Sequence, residues 1–368
     1  MKEGMSMDLS VEIAGIKLKN PVMPASGPLT GDDKKMLALE RLGVGGMVTK
    51  TISSKAAEVP RPCIIAGNNY VMNTELWTEF PPEKWESEFL PAYRAKSNIP
   101  LIVSLGYTPD DLNLLVPRFD RFADGFELST HYVADDPKLM KQLIKAVKIH
   151  TDKPVFLKFD PSVPDPEGMA KTIEDAGGDG IVIMNSLGPA YPLDRNARKS
   201  FLGSKDGFGW ISGPVIKPLS LAMVKRVAKA TSLPVIGVGG ISSAQDVIEF
   251  LMAGAAAVQL LSAALIRGKS VYKRIVDELP EKLKKIGAQT AGEIVGIAKD
   301  SNSKASFKRR LPVIDKEKCT LCGLCVDICP YFALTIENNA VAVNQEECFG
   351  CGLCQSRCPV KAIGGVLE

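Results

Sequence analysis

Histidine is nearly missing from this chain. Its 368 residues include only His131 and His150, too few for a His-rich metal site. An excess of one charge is missing too: 45 basic and 42 acidic residues leave a net +3, which gives no electrostatic case for a nucleic-acid binder. No apolar run approaches the ~20 residues that cross a bilayer. The opening MKEGMSMDLS has neither an apolar core nor a cleavage site, so it is not expected to act as a secretory signal, and Met1, Met5 and Met7 leave the natural start open. Only one cysteine, Cys63, falls in the first 318 residues, which excludes a disulfide scaffold there. Neither a strand–GxGxxG–helix unit nor GxxxxGK followed by Ser or Thr occurs, so the chain is expected to lack a nicotinamide-binding or ATP domain of its own.

What remains is an ordinary folded composition, 45% hydrophobic and 24% charged. Short β-rich runs alternate with helical patterns over the first ~290 residues, as in βα units. Eight runs have strand character: 21–25, 46–50, 101–104, 125–129, 155–159, 180–185, 235–238 and 257–261. Several are almost continuously apolar (IVIM, VIGV, AVQLL), which suits a parallel sheet buried on both faces. Helical stretches lie between them at 109–123, 136–150, 166–176, 214–230 and 243–253. Asp136-Pro137 and Asp165-Pro166 read as N-cap followed by first-turn proline. The count and size point to an α/β fold, a (β/α)8 TIM barrel over residues 1–300; an open doubly wound sheet is the other arrangement that fits. SNSKASFKRR carries no hydrophobic pattern and reads as the start of a linker, 301–312, either a solvated connection or a docking patch for an acidic electron carrier.

The second domain, 313–368, holds the other eight cysteines. CTLCGLCVDICP (319–330) and CFGCGLCQSRCP (348–359) repeat each other at an offset of 29 residues. Each is Cys-x2-Cys-x2-Cys-x3-Cys-Pro, the spacing of a bacterial two-[4Fe–4S] ferredoxin. Three thiolates at this spacing wrap one cube, and the fourth reaches the other. One cluster is therefore assigned Cys319, Cys322, Cys325 and Cys358, the second Cys348, Cys351, Cys354 and Cys329. A zinc ribbon, with two Cys-x2-Cys pairs per ion, fits this pattern poorly. Leu321, Leu324, Val326, Ile328, Phe332, Leu334, Ile336, Val341, Val343 and Ile363 are expected to fill a small ferredoxin-like core. Such a module moves single electrons and implies a redox reaction in the barrel.

In a barrel of this kind the chemistry gathers at the C-terminal strand ends. Here those ends carry small, hydroxyl and amide groups with two lysines, Lys50 and Lys158, and no clustered carboxylates of the kind glycoside hydrolysis needs. Gly237-Val-Gly239-Gly240 stands where barrels commonly bind phosphate, with Ser262 after the last strand to complete the cradle. Coupling a two-electron substrate reaction to one-electron clusters requires a converter. FMN fits a single phosphate site at a barrel rim.

The stretches KNPVMPASGPLTG, VTKTIS, NNYVMNTELW, LKFDP, GIVIMNS, WISGPVIKP and IGVGGISSAQDVIEFLMAGAAAVQ together resemble the dihydroorotate dehydrogenase family. They are most similar to its dihydropyrimidine dehydrogenase branch, whose members also carry two C-terminal [4Fe–4S] clusters. The resemblance runs from Asn20 to Pro359. It implies that Ala25, Ser26, Thr49, Lys50, Lys158, Asn185, Ser212, Gly213, Gly239, Gly240 and Ser262 hold FMN. Asn73, Glu75, Asn185 and Ser186 would face flavin and substrate, and Lys50 would stabilise the reduced ring. It also implies a cytoplasmic homodimer fed by a ferredoxin or by an FAD/NAD(P)H-binding subunit.

The chain departs from the family after the fourth strand. The family's Asn-x-Ser-Cys-Pro stretch is replaced by Ser129-Thr-His131-Tyr132, and the loop that follows is about ten residues shorter by pattern comparison. Ser129 takes the place of the substrate-binding Asn and Tyr132 that of the catalytic Cys, so His131 or Tyr132 is expected to handle the proton. Leu261-Ser262 also replaces a frequent Gly-Thr. Dihydropyrimidine or dihydroorotate chemistry, reduction of another unsaturated substrate (enoate, ring or CoA thioester), and an electron-transfer adapter all remain open. His150 is read as the end of a surface helix, Cys63 as a buried small hydrophobe, and 191–210 as a cover for the site.

Overall fold

The computed structural model describes residues 7–130, 136–301 and 306–367. It divides into two compact units, Met1–Ser301 and Asn302–Glu368. In the larger unit all eight expected strands form: β1 (Val22–Pro24), β2 (Met47–Val48), β3 (Leu101–Leu105), β4 (Gly125–Ser129), β5 (Val155–Lys158), β6 (Gly180–Ile183), β7 (Val235–Val238) and β8 (Ala255–Leu260). Each is hydrogen-bonded in parallel to the next from β2 round to β8, and β8 pairs with β1. Between β1 and β2 the Gly45 N–H donates to the Val22 carbonyl at 2.8 Å, leaving a nearly closed barrel rather than an open sheet. A Cβ on Gly45 would stand 1.9 Å from the Asn20 carbonyl oxygen, so only glycine allows that approach.

Strand parity sorts the side chains. Val48, Ile102, Phe156, Val182, Ile236 and Ala257 point into the barrel and pack as one cluster. Register places Val48 opposite Ile102 and Val182 opposite Ile236. Phe156 is the largest member of this layer, and Gly180 opposite it makes the room: a Cβ there would lie 2.4 Å from the ring. The hairpin Val11–Ile13 and Ile16–Leu18 joins the same cluster and plugs the N-terminal mouth. Alternate residues, such as Phe126, Leu128, Val155, Leu157, Ile181 and Ile183, face outward against the helices and belong to the outer core. Burial on both faces explains why the strands read as unbroken apolar runs.

The helices follow the expected stretches within one or two residues at most ends. Pro109–Phe119 begins with a capping box from Thr108 and Asp111, and its last expected turn, Asp120–Phe122, tightens to a 3-10 helix. Pro137–Lys148 and Pro166–Asp175 are capped by Asp136 and Asp165, each followed by proline as expected. Lys217–Ala230 starts after a 3-10 turn at Pro214–Ile216.

The loop after β7 leads into Ala244–Ala253, and one carboxylate fastens both. Asp246 accepts hydrogen bonds from the Ser242 amide (2.9 Å) and from the hydroxyls of Ser242 (3.1 Å) and Ser243 (2.9 Å), and it pairs with Lys217. Burial opposes its ionisation, but Lys217 and the serine donors overcome that and hold its pKa below the ordinary value. A depressed folded-state pKa contributes stability above the unfolded value, and that stability is lost as pH falls through the folded value.

The smaller unit pairs Val313–Ile314 with Ile363–Gly364 and Leu334–Glu337 with Ala340–Val343. Two short helices, Leu324–Asp327 and Leu353–Arg357, start from Gly323 and Gly352 at φ 78° and 84°. Its core is smaller than expected. Leu334, Val341 and Ile363 are buried, but Phe332 is 87% and Ile336 43% exposed. At φ 52° the Phe332 backbone turns its ring out of the strand pattern.

Two substitutions test these anchors. Phe156→Ala is expected to cost about 3–5 kcal/mol, read as a lower urea midpoint for the barrel by circular dichroism. Asp246→Asn is expected to cost about 1–3 kcal/mol at neutral pH. Its difference from the native chain should shrink below about pH 4, and a difference that stays constant down to pH 3 would contradict the linkage.

Candidate active site

A cleft of about 1150 Å3, measured to its open mouth, lies at the C-terminal ends of the strands. Parity brings the polar residues there. In β4 the inward set Gly125, Glu127 and Ser129 rises toward the rim; in β5 Lys158 follows Phe156, and in β8 Gln259 follows Ala257. These side chains meet. Lys158 Nζ stands 3.4 Å from Glu127 Oε1, and Gln259 Nε2 donates to Glu127 Oε2 at 2.7 Å. All three are buried. The Gln259 side-chain amide oxygen, Oε1, has no partner among the described residues.

A chain of hydroxyls crosses the ends of the first three strands. Ser26 Oγ lies 3.1 Å from Thr51 Oγ1, which lies 3.0 Å from Ser104 Oγ. Thr49 sits behind this chain and does not line the cleft. It is fully buried, and its hydroxyl accepts the Ser104 N–H at 2.9 Å. At the opposite rim Gly239 and Gly240 adopt φ 113° and 86°. A Cβ on Gly240 would lie 2.6 Å from Lys217 Cα, so the cradle depends on glycine. Ser212 Oγ and Ser262 Oγ stand 2.8 Å apart beside it.

Lys50 is 3% exposed and is held by two carboxylates, Glu75 at 2.8 Å and Glu79 at 2.9 Å. Burial raises the pKa of Glu79, but the Lys50 ammonium overcomes this and keeps it below its ordinary range. The expectation for Cys63 is corrected here. It is half-buried rather than buried, and its Sγ donates to Glu75 Oε1 at 3.1 Å. Burial and the adjacent Glu75 push its thiol pKa up to about 11, so it is protonated at neutral pH.

Four short strands roof the cleft in the order Leu187–Ala190, Gly209–Ser212, Val71–Asn73, Ile64–Ala66. The stretch 191–210, expected to cover the site, contributes the start of the strand Gly209–Ser212 and a hairpin, Leu193–Asp194 with Lys199–Ser200, and none of its residues lines the cleft itself. Its pairing with the segment after β2 places Asn73 opposite Trp210. Asn73, Glu75, Ser129, Asn185, Ser186, Ala25, Ser26, Lys50, Lys158, Ser212, Gly213, Gly239, Gly240 and Ser262 all line the cleft. His131 and Tyr132 lie outside the described residues. His150 is exposed at a helix end, 3.1 Å from Asn113 Oδ1, away from the cleft. Sequence reasoning missed Glu127 and Gln259, although a lone charge in GFELS and a lone amide in AVQLL were visible signals. It missed Glu79 for lack of any signal.

In the smaller unit the cysteines gather around two small hollows. The first is lined by Cys319, Cys322, Cys325 and Cys358, the second by Cys348, Cys351, Cys354 and Cys329. Among the described residues no three His, Cys, Asp or Glu side chains converge on a single-ion site. Four thiols per site at this sequence spacing are a donor set suited to an iron–sulfur cluster.

Comparison with known proteins agrees with this division. Residues 8–283 match the family model described as dihydroorotate dehydrogenase, and residues 311–359 match the 4Fe-4S dicluster domain. The chain is 35% identical over 302 residues to the catalytic subunit of dihydroorotate dehydrogenase B (NAD(+)) of Pyrococcus abyssi, covering 79% of this chain and 99% of the relative. It is 34% identical over 303 residues to the subunit of the same name from Geobacter sp. strain M21 (78% and 97%). It is 33% identical over 311 residues to dihydroorotate dehydrogenase A (fumarate) of Lactobacillus helveticus (78% and 98%). With three-quarters of its length in the family model and its strand-end residues gathered on one cleft, the chain belongs to the dihydroorotate dehydrogenase family, here carrying a C-terminal 4Fe-4S ferredoxin-like domain.

Proposed function

We propose that this protein is an FMN-dependent iron–sulfur oxidoreductase that reduces or oxidises a C–C bond conjugated to a carbonyl. Its chemistry would be nearest to dihydropyrimidine or dihydroorotate dehydrogenation, with electrons relayed by two [4Fe–4S] clusters. The observation that carries this reading is one chain of this family holding both the rim cleft and two complete cysteine quartets.

The donor set of the cleft fits FMN. The bare backbone of Gly239 and Gly240, with Ser212, Gly213 and Ser262, suits a monophosphate. Ala25, Ser26, Lys158 and Asn185 suit the edge of a heteroaromatic ring. When bound, FMN supplies hydride exchange with carbon and release of electrons one at a time. Lys158, held inside the rim by Glu127, stabilises negative charge developing above it. Lys50, expected to stabilise the reduced ring, lines the same cleft and would act there while paired with Glu75 and Glu79. Thr49 supports the rim from behind. The roof excludes water from the reacting carbons. Asn73, Glu75, Ser129, Asn185 and Ser186 orient the substrate, and His131 or Tyr132 moves the proton at the substrate carbon adjacent to hydride exchange.

The four cysteines of each cavity would hold one cluster, the fourth in each coming from the other repeat. A separate ferredoxin or FAD/NAD(P)H-binding subunit would be the electron partner, because the sequence carries no nicotinamide motif of its own. Residues 301–312 would be the linker, and family resemblance supports a cytoplasmic homodimer of the dihydropyrimidine dehydrogenase branch. No helix among the described residues is long and apolar enough to cross a membrane.

Anaerobically purified protein is expected to carry FMN and about eight iron and eight labile sulfide per chain. Cys358→Ser should remove the cluster of Cys319, Cys322 and Cys325 and leave the other, halving the iron. Colourless protein, or zinc in place of iron, refutes the reading. His131→Phe and Tyr132→Phe are expected to slow reoxidation of reduced enzyme by substrate, one of them by about 10²–10⁴-fold, in anaerobic stopped-flow with uracil, thymine and orotate. Unchanged electron throughput in both variants would instead indicate an electron-transfer adapter.

A further inference from the structure

Glu127 is a carboxylate almost closed off from water. It is 1% exposed, yet it lines the cleft together with Lys158, which is 7% exposed, and its Oε1 stands 3.4 Å from the ammonium. Strand register fixes the pair. Ser129, two residues along from Glu127, lies opposite Lys158 across β4 and β5, and the Thr130 hydroxyl donates to the Lys158 carbonyl at 2.6 Å. The other carboxylate oxygen accepts from Gln259 Nε2 at 2.7 Å. Gln259 is fully buried, and turning its amide toward Glu127 leaves its own Oε1 without a partner among the described residues. A buried polar atom left unpaired is costly. An apolar side chain would fill the same place without that cost, so the amide serves to orient the carboxylate rather than to pack. In a dry mouth an ammonium with a carboxylate at its side acts as a dipole. It attracts negative charge less than a lone ammonium would.

We propose that Glu127 is a positioning residue that sets the redox poise of the cofactor: its carboxylate offsets Lys158, so that the flavin holds electrons less tightly than Lys158 alone would make it, and Gln259 keeps the carboxylate in place. The inference deepens the reading of the cleft as an FMN site and rests on it. Two electrons and one proton convert a neutral flavin ring into a reduced ring with one negative charge. Lys158 alone would stabilise that charge and draw the potential up; Glu127 repels it and draws the potential down. The reduced cofactor then gives up its two electrons more readily, one at a time to the two clusters of the same reading, and its proton returns to water. A side chain that merely packs supports both redox states alike and moves no potential, because an equilibrium shifts only by differential interaction with its two states.

The test is the midpoint potential of the flavin in the anaerobic holoprotein, measured by equilibration with reference dyes at one pH. Glu127→Gln keeps the shape of the side chain and removes its charge. It is expected to favour the reduced flavin by about tenfold or more, a rise of about 30 mV for a two-electron couple. Lys158→Met is expected to move the potential the other way. Should Glu127→Gln fail to fold or to hold flavin, Glu127→Asp, which keeps the charge but draws it back from Lys158 by one methylene, is expected to give a smaller rise. A potential unchanged or lowered in the folded, yellow Glu127 variants, or raised in Lys158→Met as well, overturns this inference alone. Native protein that neither carries FMN nor takes it up overturns the reading of the previous section and this inference with it.

Discussion

Eight parallel strands bonded edge to edge leave all their C-terminal ends on one rim, and this closure is what every other feature of the larger unit rests on. It follows from a simple pattern. Strands apolar on both faces must be covered on both faces, by helices outside and by one another's side chains inside. Phe156 fills the centre because Gly125 and Gly180 flank it without side chains, and the N-terminal hairpin seals the mouth beneath. Above that layer the same parity sends Glu127, Lys158 and Gln259 inward. They are polar because they stand where the barrel stops being core and becomes a site.

The buried charges sharpen this division. A lysine and a glutamate removed from water are costly, and an ion pair recovers that cost only with good geometry and further hydrogen bonds. Glu127 has Lys158 and the Gln259 amide; Lys50 has two carboxylates, one of them held by Cys63. Neither arrangement is an economical way to stabilise a fold. Apolar residues of similar volume would serve the core as well, so these pairs make more sense as fixed electrostatics for whatever occupies the cleft.

How far the sequence could be read depends on the range of the interactions involved. The eight strands and the capped helices were legible because apolar continuity and Asp-Pro signals are local. The cysteine repeat was legible because ligand spacing is local as well, and even the exchange of fourth cysteines followed from reach. The roof was legible only as a cover. Its strands are four residues or fewer, and its central pairing joins Asn73 to Trp210 across well over a hundred residues. The burial of Cys63 was misjudged, and the placement of Thr49 behind the rim was not legible, for the same reason. Whether a hydroxyl lines a cleft or backs it, and whether a thiol meets a hydrocarbon or a carboxylate, is decided by neighbours far away in the chain.

The departures from the family pattern are not scattered. The glycine cradle, the rim hydroxyls and Lys158 keep the motifs that carry the resemblance, and all of them line the cleft. The changes fall in the sequence at Ser129, His131 and Tyr132; of these Ser129 lines the cleft, as do Lys50 and Glu75, and Glu75 and Glu79 both pair with Lys50. A cofactor imposes a fixed shape and charge, so the residues that hold it have little freedom. A substrate half can be rebuilt without disturbing them, provided the new groups still move one proton and still accept a ring or amide at the same face. Kept cofactor-facing motifs beside altered substrate-facing residues are how one fold can host more than one substrate.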